Sequence, residues 1–262
     1  MNSPASSPKK RLGQHFLKDP NTARIVARGV TGEDVVLEIG PGRGFLTAVL
    51  AGRAKLVHAV ELDPDLLPIL DAAVGRKDNV RLHAGDALSF DYATLDPVPG
   101  KLVANLPYNI ASPLILKLLE EHPRIDVLRF MVQYEVAARM AARRGGKDYG
   151  AYAVLVQLLA EVGIEHKVSP RVFDPPPRVN SAVVEMRRRG VGLRPGEYEG
   201  VKRLVLAAFK SRRKQLSNNL PEPAKRRAPP ALRSIGHGPA ARAEELAPED
   251  FLKLYRELSW AL

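Results

Sequence analysis

The sequence predicts an α/β protein, a doubly wound parallel sheet with crossover helices, followed by a small helical domain. Three observations predict it. Between Glu33 and Arg187 short β-branched runs alternate with longer helical patterns, the sequence mark of strand–helix–strand units. A glycine-rich turn, Gly40–Gly44, joins the first run directly to the first helix. After Arg187 the spacing becomes helical throughout and is broken by Pro and Gly.

Taken in order, the expected strands are Val35–Ile39, Leu56–Glu61, Val80–His83, Lys101–Ala104, Val127–Gln133, Ile164–Val168 and Val179–Arg187. Expected helices between them are Phe45–Ala51, Leu66–Val74, Ser112–Glu121, Tyr134–Arg143 and Tyr152–Glu161, each with apolar residues recurring at helical spacing. The tail carries further helical stretches at Tyr198–Lys210, around Ala224–Pro230 and at Pro248–Leu258. The junction falls near Arg188–Gly196, where Gly and Pro punctuate a basic run.

A chain of 262 residues is long enough for one sizeable core and a smaller appendage. With no cysteine it can form no disulfide or thiolate metal site, so no metal is expected. Met1–Arg11 is Ser/Pro-rich and basic with no apolar block behind it, and no stretch is apolar enough to span a membrane; a cytoplasmic protein is expected. The net charge of +11 is unevenly spread: residues 187–262 hold 17 Lys and Arg against 8 Asp and Glu, residues 1–186 hold 23 against 21. A basic tail favours a polyanionic partner, because neutralised phosphates release counterions.

Gly40, Gly42 and Gly44 are spaced G-x-G-x-G, and Phe45 breaks the dinucleotide fingerprint G-x-G-x-x-G. The spacing suits a ligand without a pyrophosphate, S-adenosylmethionine, whose cationic part Glu38 would face from the end of the strand. Glu61, followed by Leu62, ends the next strand and is placed to accept from both ribose hydroxyls. Asp86, followed by Ala87, comes just past the third strand and could accept from the cofactor's adenine amine.

At the end of the fourth strand stands Asn105-Leu-Pro-Tyr-Asn-Ile110. An adenine amine is a poor nucleophile because its lone pair is delocalised, so it needs orientation more than a base. The Asn105 side-chain oxygen and the Leu106 carbonyl can accept its two hydrogens. Pro107 fixes the backbone and aims that carbonyl outward, and Tyr108 offers a face on which a base taken out of its stack can lie. On their own, Gln14–Leu17 read as a helix start and Phe173 as a core aromatic.

These segments, with Gly13-Gln-His-Phe-Leu17, Val172-Phe-Asp-Pro-Pro-Pro-Arg-Val-Asn-Ser-Ala-Val-Val184 and Phe209-Lys-Ser-Arg-Arg-Lys-Gln-Leu-Ser-Asn-Asn-Leu220, resemble the adenine dimethyltransferases of small-subunit (16S) ribosomal RNA over nearly the whole chain. The resemblance implies an N-terminal arm over residues 1–32, a Rossmann-like seven-stranded class I methyltransferase domain over 33–190 and a basic helical RNA-binding domain over 191–262. It implies that Gln14 and Leu17 close over the methionine end of the cofactor with His15 nearby, that Phe173 covers the second face of the target base, and that Lys210, Arg212, Arg213 and Lys214 contact RNA. It further implies a monomer making two transfers to each of two adjacent adenosines in a hairpin near the 3′ end of that RNA, in an immature small subunit. Three rivals stay open: an adenine methyltransferase of large-subunit rRNA or of DNA, and a non-catalytic nucleic-acid-binding factor on the same fold.

Overall fold

The computed structural model describes residues 8–9, 12–74, 77–190 and 192–258; of the stretch Met1–Arg11 only Pro8 and Lys9 fall among them. Central strands form where Val, Leu and Ile run together: β2 (Val35–Ile39), β3 (Leu56–Glu61), β5 (Lys101–Asn105) and β6 (Val127–Gln133), all largely buried as strands covered on both faces must be. The short strand Phe16–Leu17 precedes them as β1, β4 is Val80–Ala84, and the chain continues with β7 (Ala160–Val168), β8 (Phe173–Asp174) and β9 (Ser181–Arg188). Seven strands build the main sheet in the order β4-β3-β2-β5-β6-β9-β7.

The chain moves outward from β2 to β3 and β4, then returns to the other side of β2 for β5 and β6, all parallel. The order therefore reverses between β2 and β5, and the carboxyl ends of those strands frame the crevice where open α/β sheets bind ligands. The sheet is not parallel throughout. β9 lies antiparallel to β6, with Gln133 opposite Ser181. No α-helix lies between β7 and β9, only one 3-10 turn at Pro170–Val172 and the two residues of β8, so nothing carries the chain back across the sheet for a parallel strand.

Helices α1 (Pro20–Val26), α2 (Phe45–Ala51), α3 (Leu67–Val74) and α4 (Ala111–Glu121) accompany the first strands, with α5 (Tyr134–Met140) directly after β6. The sequence pattern does not predict α1. The helix starts where Asp19 accepts from the Thr22 N–H and Pro20 has no N–H to satisfy, an N-cap signal of short range.

By compactness the chain groups into residues 1–137 with 162–188, which carry the sheet, and 138–161 with 189–262. The second unit thus takes in α6 (Ala151–Leu159), a helix the sequence pattern placed among those of the sheet, as well as α7 (Glu197–Ala208), α8 (Ala224–Ser234) and α9 (Pro248–Leu258). The apolar faces of α6, α7 and α9 meet around Tyr149, Phe209 and Phe251, and the Tyr149 hydroxyl donates to the Leu246 carbonyl. No helix among the described residues is long and apolar enough to cross a membrane.

Candidate active site

A cavity of about 230 Å³ opens at the carboxyl ends of β2, β3 and β5, lined by residues of the arm, the glycine turn and the Asn105–Ile110 segment. The glycine turn is shaped by two constraints. Gly40 and Gly42 have φ of 66° and 61°, left-handed values costly for side-chain-bearing residues. A Cβ on Gly40 would come within 3.0 Å of the Pro107 ring and one on Gly42 within 2.9 Å of Phe16, so both sides of the crevice press on this turn.

Glu61, the last residue of β3, is buried and spans the gap: its carboxylate accepts from the Gly42 N–H at 3.0 Å and the Asp63 N–H at 2.9 Å. Burial raises its pKa, and those two N–H groups oppose the rise. Glu38 lies deeper, 1% exposed, and its Oε2 has no hydrogen-bond partner. Burial, reinforced by the nearby Glu61 charge, pushes its pKa up to about 8, with Thr47 opposing. Asp86 is exposed, and its carboxylate caps its own turn by accepting from the Leu88 N–H; Ala87 beside it is buried and Leu62 is half exposed at the cavity wall.

Asn105 ends β5 opposite Met131 of β6, and the Leu106 N–H donates to the Met131 carbonyl. Its side-chain amide is oriented from an unexpected quarter: Nδ2 donates to the main-chain carbonyl of His15 at 3.3 Å. A carbonyl can only accept, so the amide nitrogen must face it and Oδ1 is turned the other way. That buried Oδ1 has no partner. Tyr108 is held by a 2.6 Å bond between its hydroxyl and Ser181 Oγ, and its ring lies 5.5 Å from that of His15. Burial raises the Tyr108 pKa, which keeps the phenol neutral.

The arm does not start a helix at Gln14–Leu17. Phe16 and Leu17 form β1, paired antiparallel with Asp174 and Phe173 of β8, and His15 Nδ1 lies 2.8 Å from the Pro175 carbonyl. The Gln14 amide lines the cavity while donating to Asp63 and accepting from the Lys9 N–H. The Arg43 guanidinium stacks 4.3 Å over the Phe16 ring and pairs with Asp174. Neither Lys9, Asp63 nor Arg43 figured in the sequence reading, because their partners are distant in the chain.

Two of the expected site residues have other surroundings in the structure. Phe173, paired in β8 with Leu17 of β1, is wholly buried in the core cluster that also holds Leu17, Val103, Met131 and Val183, and it is not among the residues that line the cavity. In the basic loop, Lys210, Arg213 and Lys214 are exposed with no side-chain bond among the described residues, but Arg212 donates to Glu244 and to the Gly146 and Lys147 carbonyls. The neighbouring Asn219 is likewise committed, donating to the Ala208 and Ser211 carbonyls at the end of α7.

The sequence profile of the family described as Ribosomal RNA adenine dimethylase matches residues 5–259. The chain belongs to that family. Among its relatives, the Ribosomal RNA small subunit methyltransferase A of Rubrobacter xylanophilus is 69% identical over 96% of this chain and 95% of its own length. The crystal structure of a dimethyladenosine transferase from Plasmodium falciparum superposes with a TM-score of 0.82 at 27% identity, covering 94% of this chain and 98% of that one. That of the 23S rRNA methyltransferase ErmE gives 0.72 at 30% identity, covering 93% and 99%.

Methyltransferases of this type use S-adenosylmethionine. The residues around the cavity fit such a molecule: a buried carboxyl with an unpartnered oxygen at Glu38 suits a cationic group, and the surrounding wall is mainly apolar. Among the described residues no cluster of His, Asp and Glu is placed to hold a metal.

Proposed function

We propose that this rRNA adenine dimethylase acts on the small subunit, methylating the N6 amine of two adjacent adenosines in the hairpin loop near the 3′ end of 16S rRNA in an immature particle. The observation that carries the assignment of the reacting group is the Asn105 amide, whose nitrogen is committed to the His15 carbonyl and whose buried oxygen has no partner. Such an oxygen is an acceptor held ready for an N–H donor, here one hydrogen of the exocyclic amine, with the Leu106 carbonyl accepting the other. Tyr108 stacks on the base, its ring fixed by Ser181.

Gly40, Gly42, Glu61, Leu62, Asp86 and Ala87 would hold the nucleoside part of S-adenosylmethionine, with Glu38, Gln14, His15 and Leu17 towards its methionine end. When bound, that cofactor supplies an electrophilic methyl group. Glu61 keeps lone pairs for ribose hydroxyls beyond the two N–H groups it already accepts from. After a first methylation the target nitrogen retains one hydrogen, so Asn105 and Leu106 together offer one acceptor more than the second step uses. The pocket therefore tolerates the monomethylated amine.

The preference for the small subunit over the large rests on 69% identity to a small-subunit enzyme against 30% to ErmE. Lys210, Arg213 and Lys214 would contact RNA phosphates, with Arg212 shaping their loop. The protein would act as a cytoplasmic monomer. Offering labelled S-adenosylmethionine together with unmodified small subunits, large subunits or duplex DNA in parallel tests this. Label should enter the small-subunit RNA alone; label in either other substrate overturns the assignment.

A further inference from the structure

Asp63, two residues past Glu61, has a side chain that is 0% exposed yet is an ionised type of group, so it must be paired where it lies. Lys9 Nζ reaches its Oδ1 at 2.6 Å, Gln14 Nε2 reaches its Oδ2 at 3.0 Å, and Lys9 also meets Asp65 at 2.7 Å. The Lys9 main-chain N–H closes the ring by donating to Gln14 Oε1 at 2.8 Å. Asp63's own N–H donates to Glu61, and Glu61 accepts in turn from the glycine turn at Gly42. One continuous set of bonds thus joins the arm, the end of β3 and the glycine turn. The arm it fastens, Leu12–Leu17, forms part of the cavity wall.

From this geometry we infer that Lys9 is a positioning residue: through Asp63 it latches the arm over the cavity and sets how long the cofactor stays bound. The latch rests on the cofactor site described above and adds its closing element. It acts on one end of the arm only. Towards the other end His15 and Phe16 have anchors of their own, in the Pro175 carbonyl, the β1–β8 pair and Arg43, so the carbonyl that orients Asn105 stays in place when Lys9 lets go. Losing the latch should therefore weaken cofactor binding and spare the transfer step. The ion pair is accessible from the Lys9 side, 28% exposed, so salt should loosen it.

The test uses the full chain and measures S-adenosylhomocysteine binding by calorimetry and stopped-flow dissociation, beside methyl transfer at saturating cofactor. Lys9→Met should raise Kd about five- to tenfold through faster dissociation, a loss in keeping with one charge-assisted contact. It should leave kcat unchanged and remove most of the salt dependence of Kd; Lys9→Arg should restore both. Asp63→Asn should act in the same direction, and Lys9→Met keeps the test valid where that buried change fails to fold. A Lys9→Met protein whose Kd and dissociation rate match the parent overturns the latch, whether or not its melting temperature falls. Failure of the parent protein itself to bind S-adenosylhomocysteine would instead count against the cofactor site, so the two failures are distinct.

Discussion

The two halves of the crevice treat their polar groups differently. On the β2–β3 side, Glu61, Asp63 and Asp86 are already tied to main-chain N–H groups or to Lys9 and Gln14, whereas the buried Glu38 keeps an oxygen without a partner. On the β5 side, the Asn105 amide is fixed by one bond so that its oxygen stays open. The first half is a pre-tied cradle, in which carboxylates hold the protein's own turns in the shape that receives a ligand. The second is a poised acceptor. A buried polar atom left unpaired costs stability, and a fold retains it where binding repays that cost.

Asn105→Ala gives the largest break between the halves. It should lower methyl transfer by about 10²–10³-fold, as loss of an oriented hydrogen-bonding group in a water-poor site does. S-adenosylhomocysteine affinity should stay within a few fold of the parent; equal losses in both would make Asn105 part of the cradle instead. Glu61→Ala should do the converse, orphaning the Gly42 and Asp63 N–H groups and raising cofactor Kd about 10–100-fold by calorimetry, with a smaller change in kcat at saturation.

Tyr108 sharpens the second half. Tyr108→Ala should reduce kcat/KM for RNA by about tenfold, within the range for loss of one base-stacking platform, whereas Tyr108→Phe keeps the ring, loses only the Ser181 bond and should stay near the parent. A Phe variant as impaired as the Ala variant would place the function in the hydroxyl.

Glu38, the exception in the cradle, gives a pH signature. Its folded-state pKa of about 8 lies above its value in the unfolded chain, so unfolding lets it ionise. Its contribution to stability is full below about pH 4.5 and is lost as pH rises towards 8. Melting temperatures of the cofactor-free protein should show that fall, Glu38→Gln should flatten it, and S-adenosylmethionine, being cationic, should stabilise the parent more at pH 8.5 than at pH 6.

The same contrast between tied and open groups recurs in the basic loop, where the expected effect is smallest. Neutralising Lys210, Arg213 and Lys214 should reduce the salt slope of RNA binding by about two units, near 0.7–0.9 per lost phosphate contact. Arg212→Ala should lower the melting temperature, because it removes the bonds to Glu244, Gly146 and Lys147.

Much of the cradle and of the poised acceptor could be read from the sequence because their signals are local. Val35–Ile39 and Phe45–Ala51 have the bounds their patterns predict, and Glu61 and Asn105 stand at strand ends where the alternation of runs put them. What could not be read is long-range or carried by the main chain. The His15 carbonyl that orients Asn105 is 90 residues away and any residue type supplies a carbonyl. Lys9 and Asp63 are 54 apart, with nothing in either segment to mark the pair. The direction of β9 depended on the missing crossover helix, and the place of α6 on which apolar faces it met, not on its own period. Phe173 shows the opposite hazard: as a residue in isolation it reads as core, and core is where its strand pairing puts it.

The most direct measurement is a count of methyl groups. Small-subunit RNA from particles never methylated at this hairpin is incubated with the protein and excess S-adenosylmethionine, digested to nucleosides and analysed by mass spectrometry. An acceptor pair that tolerates the monomethylated amine predicts N6,N6-dimethyladenosine as the end product at both adjacent positions. Accumulation of the monomethyl nucleoside, or methylation at any other atom, would contradict it.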